Sequence, residues 1–394
     1  MSTPVFLQAL GVVSALGLGS AATRDALFAP TPAGVVPTDR HTPGRPLHLG
    51  LLAGDIEARA TDPDALRSRN NAMLGAALDG IRPLVDAAIA RFGPHRVAIV
   101  LGVSTGGMVE GEAARRFHLA HGRWPDGFDY AVLEMGNAAA WLQRELGTTG
   151  PAHGISTACS SGAKALASGA RLLRAGLVDA VVAGGVDALC PFTIAGFGAL
   201  ESVAVDRCNP MSANRRGINL GEGAALFLMG RDRGPVHLAG WGEGSDAHHM
   251  SAPDPSGQGA ATVMRQALAR AGASADAVDY LNLHGTATPL NDAMESAAVA
   301  DVLGLDVACS STKPLTGHTL AAAGAVEAAL CWLTLVDNPA GRLPVHLWDG
   351  VRDPALPPLH LVAPDERLGR APRLVLSTSF AFGGSNAALL MGPG

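Results

Sequence analysis

One cysteine, two histidines and a lysine, each set among small residues, carry the strongest chemical signals of this 394-residue sequence. Cys159 lies in GISTACSSGAKALASGARLL (154–173), where hydroxylated and tiny residues give way to a helix-forming segment. The free N–H groups and dipole of a helix N-terminus favour negative charge, which biases a thiol there toward thiolate. Its neighbours Ala158, Ser160, Ser161 and Gly162 leave room for a substrate carbonyl beside backbone N–H groups. These flanks favour a nucleophile, whereas a small buried hydrophobe suits Cys190, Cys208, Cys309 and Cys331. His284 opens HGTAT directly after the strand-like YLNL, at the end of a strand where open parallel sheets place their sites. By itself it is equally well a satisfied core histidine. Lys313 and His318 stand five residues apart in SSTKPLTGHTLAAAG, a loop entering a helix of Ala and Gly that is built for close packing.

Two further stretches are weaker. STSFAFGGSN (377–386) follows a strand with Phe380, Phe382 and a Gly-Gly turn, suited to a mobile loop or to an N–H aimed at a ligand. Gly102-Val103-Ser104-Thr105-Gly106 is a literal G-x-S-x-G between a strand and a helix, the setting of a serine hydrolase elbow. It is also an ordinary glycine turn, and so short a pattern arises readily by chance.

Positioning these groups falls to apolar runs at 96–103, 180–186, 224–229, 280–283 and 373–378, separated by helical stretches such as 108–121. Strands apolar on both faces predict an α/β fold with a largely parallel sheet covered on each side. The apolar start of the chain, with no basic residue before Arg24, reads as a strand and turn and not as a signal peptide. Residues 319–336 mimic a membrane span, with Glu327 as the one charge, but their small residues predict a buried helix. The Gly-, Ser-, Asp- and Pro-rich stretch 240–259 predicts a boundary between halves 1–240 and 241–394, and the proline-rich 346–372 a connection over the surface.

Composition bounds the function. Charged residues are 16%, against roughly 25% in an average domain, and hydrophobic ones 48%, so a large core is available and whole-chain disorder is excluded. Lys and Arg number 29 against 35 Asp and Glu, a net charge of −6, which argues against a general nucleic-acid binder. Five scattered cysteines without a CxxC argue against a disulfide framework or a zinc site and suit a reducing compartment. The expectation is a cytoplasmic, two-lobed protein with no membrane span.

TACSSG, HGTAT, K-x-x-x-x-H followed by AAAG, and FAFGG in this order, with VVAGGVDAL, AGFGAL and NRRGINLGEGAALFLM between them, make the sequence similar to one family over essentially its whole length. It resembles the β-ketoacyl-acyl carrier protein synthases of the elongating, two-histidine kind, within the thiolase-like superfamily. That resemblance implies two similar βαβ-type halves stacked as α/β/α/β/α layers, and a decarboxylative Claisen condensation without cofactor or metal. It implies Cys159 as acyl carrier and His284 and His318 as stabilisers of the malonate-derived enolate. Lys313 would hold the histidine geometry, with Glu295 the glutamate near that lysine. Phe382 would be the gate, its N–H shared in an oxyanion hole, and Phe380 lies on the same loop. Ala381 stands where the family usually has Gly, which bears on loop swinging, and Ala287 where Ser is commoner.

An acidic acyl carrier protein, bearing acyl and malonyl thioesters, is the implied partner, and Arg67, Arg69, Arg215 and Arg216 are candidates to dock it. The subunit partner is a second copy or a chain-length-factor-like paralogue. SANRRGINLGEGAA is similar to ketosynthases of aryl-polyene clusters, against which primary fatty-acid synthesis competes. A non-catalytic chain-length factor is an alternative that the intact Cys159, His284 and His318 disfavour, and a Ser104 hydrolase is a remoter one.

Overall fold

The computed structural model describes residues 3–29, 34–54 and 56–394. Ten strands form its main path: β1 (Phe6–Ser14), β2 (Val97–Gly102), β3 (Ala152–Ile155), β4 (Ala180–Asp187), β5 (Gly223–Gly230), β6 (Val236–Ser245), β7 (Tyr280–Asn282), β8 (Ala308–Ser310), β9 (Val375–Ala381) and β10 (Ser385–Pro393). Among the helices that frame the sheet and the site are α1 (Arg69–Asp79), α2 (Met108–His121), α3 (Ser161–Arg174), α4 (Pro191–Ala199), α5 (Gln258–Ala271), α6 (Pro289–Leu303) and α7 (Ala323–Leu335).

The strand order is β3-β2-β4-β5-β1 in one half and β8-β7-β9-β10-β6 in the other, the same order twice. The halves meet edge to edge where Phe6 and Leu7 of β1 pair with His237 and Val236 of β6. The change-over in sequence is the turn at 231–235. α3 and α7 form the middle layer, each touching strands of both halves, while α1 lies on the far face of the first half and α5 on that of the second, with α6 packed beside α5. Alternate residues of β2 show why its sequence is apolar throughout. Ala98 and Val100 join the core around the middle helices, and Val97, Ile99 and Leu101 join the core under α1. Each buried Val, Ile or Leu on either face contributes about 1.5–3 kcal/mol.

The sheet is mixed, which corrects the expectation of a largely parallel one. β2 runs parallel to β3 and β4, and β7 to β8 and β9, while β1, β5, β6 and β10 pair antiparallel. Antiparallel strands between two helical layers are buried on both faces too, so hydropathy does not distinguish them. The first part of the expected 240–259 linker is also strand, since β6 runs to Ser245. A Cβ on Gly240 would lie 2.0 Å from the Ala267 carbonyl oxygen, and one on Gly242 1.8 Å from that of Val263. These glycines let α5 lie directly on the β6 backbone. The apolar stretch from 319 is α7 with a preceding turn, and every residue of α7 is buried. No helix among the described residues is long and apolar enough to cross a membrane.

α3 and α7 approach at small residues. A Cβ on Gly162 would lie 2.7 Å from the Ala325 nitrogen, and one on Gly324 2.8 Å from the Ala163 nitrogen. The close crossing brings the segments just before both helices together, and these carry Cys159 and His318.

Candidate active site

Cys159 sits on a sharp turn ahead of α3. Ala158 is left-handed at φ 50°, a strained setting for alanine. The serines of TACSSG fold the turn: Ser161 Oγ accepts from Thr157 N–H at 2.8 Å and donates to the Ala158 carbonyl at 2.6 Å, while Ser160 Oγ donates to the Thr157 carbonyl at 2.9 Å. The backbone N–H groups of Phe382 and of Cys159 itself lie close enough to the sulfur to favour its anion. Burial pushes the thiol up to about 11, against the opposing pull of the Lys313 charge and these two N–H groups. Desolvation thus works against the thiolate bias expected at a helix N-terminus, because Cys159 is only 7% exposed.

His284 follows β7 as its sequence predicts. Its backbone N–H donates to Glu295 Oε1 at 2.7 Å, and that of Gly285 to Glu295 Oε2 at 2.6 Å. Burial raises the Glu295 carboxyl to about 7. Glu295 thus grips the HGTAT turn, and the carboxylate that meets Lys313 is Glu327, the one charge of the α7 stretch. Lys313 is 1% exposed, and its ammonium also meets the His284 carbonyl and lies 3.3 Å from His284 Nδ1. His318 Nδ1 accepts the Leu320 N–H at 3.1 Å, with Leu320 held at φ 54°.

Donors at both Nδ1 atoms leave the protons of the neutral rings on Nε2. Both histidines are driven well below the ordinary imidazole range, first by burial and next by the Lys313 charge, so they stay neutral. Their rings meet edge-on, 5.3 Å apart at 89°. The Cys159 sulfur and one ring nitrogen of each histidine lie within 4.8 Å of one another. A zinc ion would accept this sulfur and nitrogen set, and in taking the sulfur would stop it acting as a nucleophile.

Cys159 separates two cavities. One, of 370 Å³, holds His284 and His318 together with Thr286, Thr288, Phe380 and Phe382. The two threonines belong to HGTAT but carry no chemical signal of their own in the sequence. The other cavity, of 460 Å³ and mostly apolar, runs past Ser104, Thr105, Met108, Phe192 and Leu320. Phe197 of α4 borders both and packs 5.8 Å from the Phe382 ring. Ala381 ends β9 in extended backbone, φ −100°, which any residue adopts, and the positive φ values fall on Gly383 and Gly384.

The candidate docking arginines are dispersed. Arg69 is largely buried against Glu222, and Arg215 against Asp353. Arg67 and Arg216 are both exposed, and Arg67 bonds Asp64. The Ser104 hydroxyl donates to Asp187 and, among the described residues, bonds no imidazole, so the hydrolase reading lapses there.

The β-ketoacyl synthase N-terminal domain model matches residues 84–233 and the C-terminal domain model residues 236–340. The 3-oxoacyl-[acyl-carrier-protein] synthase 2 of Vibrio cholerae is 31% identical over 86% of this chain and 87% of its own. Nodulation protein E of Rhizobium meliloti is 36% identical over 75% of each. Among solved structures, the Xenorhabdus doucetiae ketosynthase ApeO, in complex with its chain length factor ApeC, superposes with TM-score 0.93. It is 40% identical, and the match covers 100% of this chain and 98% of that one. The chain belongs to the β-ketoacyl synthase family, with the thiolase-like fold, and is an acyltransferase of the ketosynthase class.

Proposed function

We propose that this chain is the catalytic ketosynthase subunit that condenses a Cys159-bound acyl chain with malonyl-acyl carrier protein, giving a 3-oxoacyl-carrier two carbons longer. The observation that carries this reading is the meeting of one sulfur and two neutral imidazoles within 4.8 Å at the wall of a shared cavity. Cys159 attacks the acyl thioester, its proton passing in net terms to the departing carrier thiol. The N–H groups of Phe382 and Cys159 hold the tetrahedral oxyanion. The acyl tail enters the apolar cavity and its burial holds it there. Malonyl thioester then occupies the histidine side, and as carbon dioxide leaves, the Nε2–H groups of His284 and His318 donate to the enolate oxygen. The enolate carbon attacks the Cys159 thioester, and the sulfur departs. Lys313 keeps His284 in its donor tautomer, Glu295 fixes its backbone, and Phe380 and Phe382 line the histidine cavity beside Cys159.

The intact Cys159, His284 and His318 favour this over a non-catalytic chain-length factor. Likeness to ApeO, described with its chain length factor, favours a heterodimer with a chain-length-factor-like paralogue over a homodimer, and a specialised pathway of the aryl-polyene kind. Of the two exposed docking candidates, Arg216 is better placed to meet an acidic carrier: it lies two residues before Ile218 on the cavity wall, whereas Arg67 is paired with Asp64. Arg67 is secondary, and Arg69 and Arg215 support the fold around them. The reaction suits the cytoplasm, where carrier thioesters are made. Incubation with malonyl-carrier and a panel of acyl-carriers, with products read by mass spectrometry, tests the function. Products two carbons longer than their primers are expected from the wild type, and a Cys159→Ala variant that still elongates would overturn the reading.

A further inference from the structure

The G-x-S-x-G turn, left without a catalytic part, closes on a carboxylate that has no exposed surface. Asp187, the last residue of β4, takes five donors. Its Oδ1 accepts the backbone N–H of Ser104 at 2.9 Å, and the N–H and hydroxyl of Thr105 at 2.8 Å each. Its Oδ2 accepts the Ser104 hydroxyl and, at 2.7 Å, the backbone N–H of Ala321. The first four donors belong to the half that carries Cys159. The fifth comes from the turn after His318, in the other half.

That turn is set tightly. A Cβ on Gly185 would lie 3.2 Å from the Ala321 carbonyl oxygen, and one on Gly162 3.0 Å from the same atom. The His318 backbone is pinned separately, donating to the Asn219 carbonyl at 2.7 Å and accepting from Gly221 N–H at 2.9 Å. What remains for Asp187 to fix is the 320–321 backbone, whose Leu320 N–H meets the His318 ring.

We propose that Asp187 is a positioning residue for condensation: by holding Ala321 it keeps the Leu320 N–H on His318 Nδ1, and so keeps the His318 Nε2–H directed at the site. The inference rests on the proposed role of His318 in stabilising the enolate. Acyl transfer to Cys159 does not use that donor, whereas loss of carbon dioxide does.

Asp187→Asn is close in volume but turns one acceptor into a donor. With its amide nitrogen at the Oδ1 position it would face two backbone N–H groups. At the Oδ2 position it would face the Ala321 N–H and a serine hydroxyl that can rotate to accept. The second placement is the better one, and it releases Ala321. The test measures two half-reactions of the full chain: acylation of Cys159 by acyl-carrier, read by intact mass, and carbon dioxide release from malonyl-carrier. A fall of roughly tenfold or more in release, with acylation and melting temperature near wild type, supports the clamp. Parallel loss of both half-reactions, or loss of neither, overturns it.

Should the variant fail to fold, ¹⁵N-histidine spectra of the wild type decide the matter, with His318 assigned by the signal lost in His318→Gln. An Nε2–H tautomer supports the clamp and an Nδ1–H tautomer contradicts it. A wild type that neither acylates Cys159 nor releases carbon dioxide sinks the proposed function instead, and the spectra still test the clamp.

Discussion

Nζ of Lys313 stands 3.3 Å from Nδ1 of His284 while the same ammonium meets Glu327, so one buried cation both neutralises a buried carboxylate and selects a histidine tautomer. Removing it alone leaves Glu327 unpaired in the core, a loss on the order of 3–5 kcal/mol. Lys313→Ala is therefore expected to lower the urea midpoint sharply. Lys313→Met with Glu327→Gln, which removes both charges, is expected to recover most of that stability. Neither variant recovers decarboxylation, because His284 lacks its tautomer-setting donor, and a loss of about 10²–10³ in rate is expected. Full activity in the double variant would show the lysine to be structural alone.

The neutral histidines fix the sign of the pH response. Protonating Nδ1 of either ring would set N–H against the Lys313 ammonium or the Leu320 N–H. Their folded values lie well below 6.5, so the active neutral form persists as pH falls through 6.5 and is lost only further down. Carbon dioxide release, measured under substrate saturation, should carry no limb from the histidines between pH 8 and about pH 6, and Glu295, at about 7, holds backbone N–H groups and not the reacting atoms. An acid limb centred near 6.5 would contradict the assignment.

Cys159 gives the opposite limb. A thiol raised to about 11 is almost wholly protonated at neutral pH. Its alkylation by iodoacetamide should rise about tenfold per pH unit from 7 to 9 with no plateau. A rate already level at pH 7 would mean that the helix terminus and Lys313 outweigh burial.

Gly162 links the fold to the site. A Cβ there would press on the Ala325 backbone at 2.7 Å and push α3 from α7. Gly162→Ala should cost roughly 1–3 kcal/mol in urea denaturation and slow condensation by separating Cys159 from His318. Wild-type values for both would show that the helices yield without strain.

Much of this was legible in the residues themselves. The α2 helix followed from its charged wet side, the strands around 97–102, 180–187 and 223–230 from unbroken apolar runs, and the burial of α7 from its run of small residues. Cys159, His284, Lys313 and His318 stood out by their flanks. Strand direction was hidden because every central strand is apolar on both faces. The β6 glycines read as a linker because close packing and flexibility select the same residue. Glu327 was visible only as a lone charge in an apolar run, since its partner is fourteen residues earlier in sequence and joined to it by the fold. Desolvation of Cys159 depends on what the whole chain packs around it, which no local motif contains.

Where the acyl group rests decides the mechanism. Wild-type protein incubated with acyl-carrier alone, digested and mapped by mass spectrometry, should carry the acyl mass on the peptide containing Cys159. Chasing with malonyl-carrier should clear that mass as the two-carbon-longer product forms. An acyl group found on Ser104, or one on Cys159 that malonyl-carrier leaves in place, would contradict it.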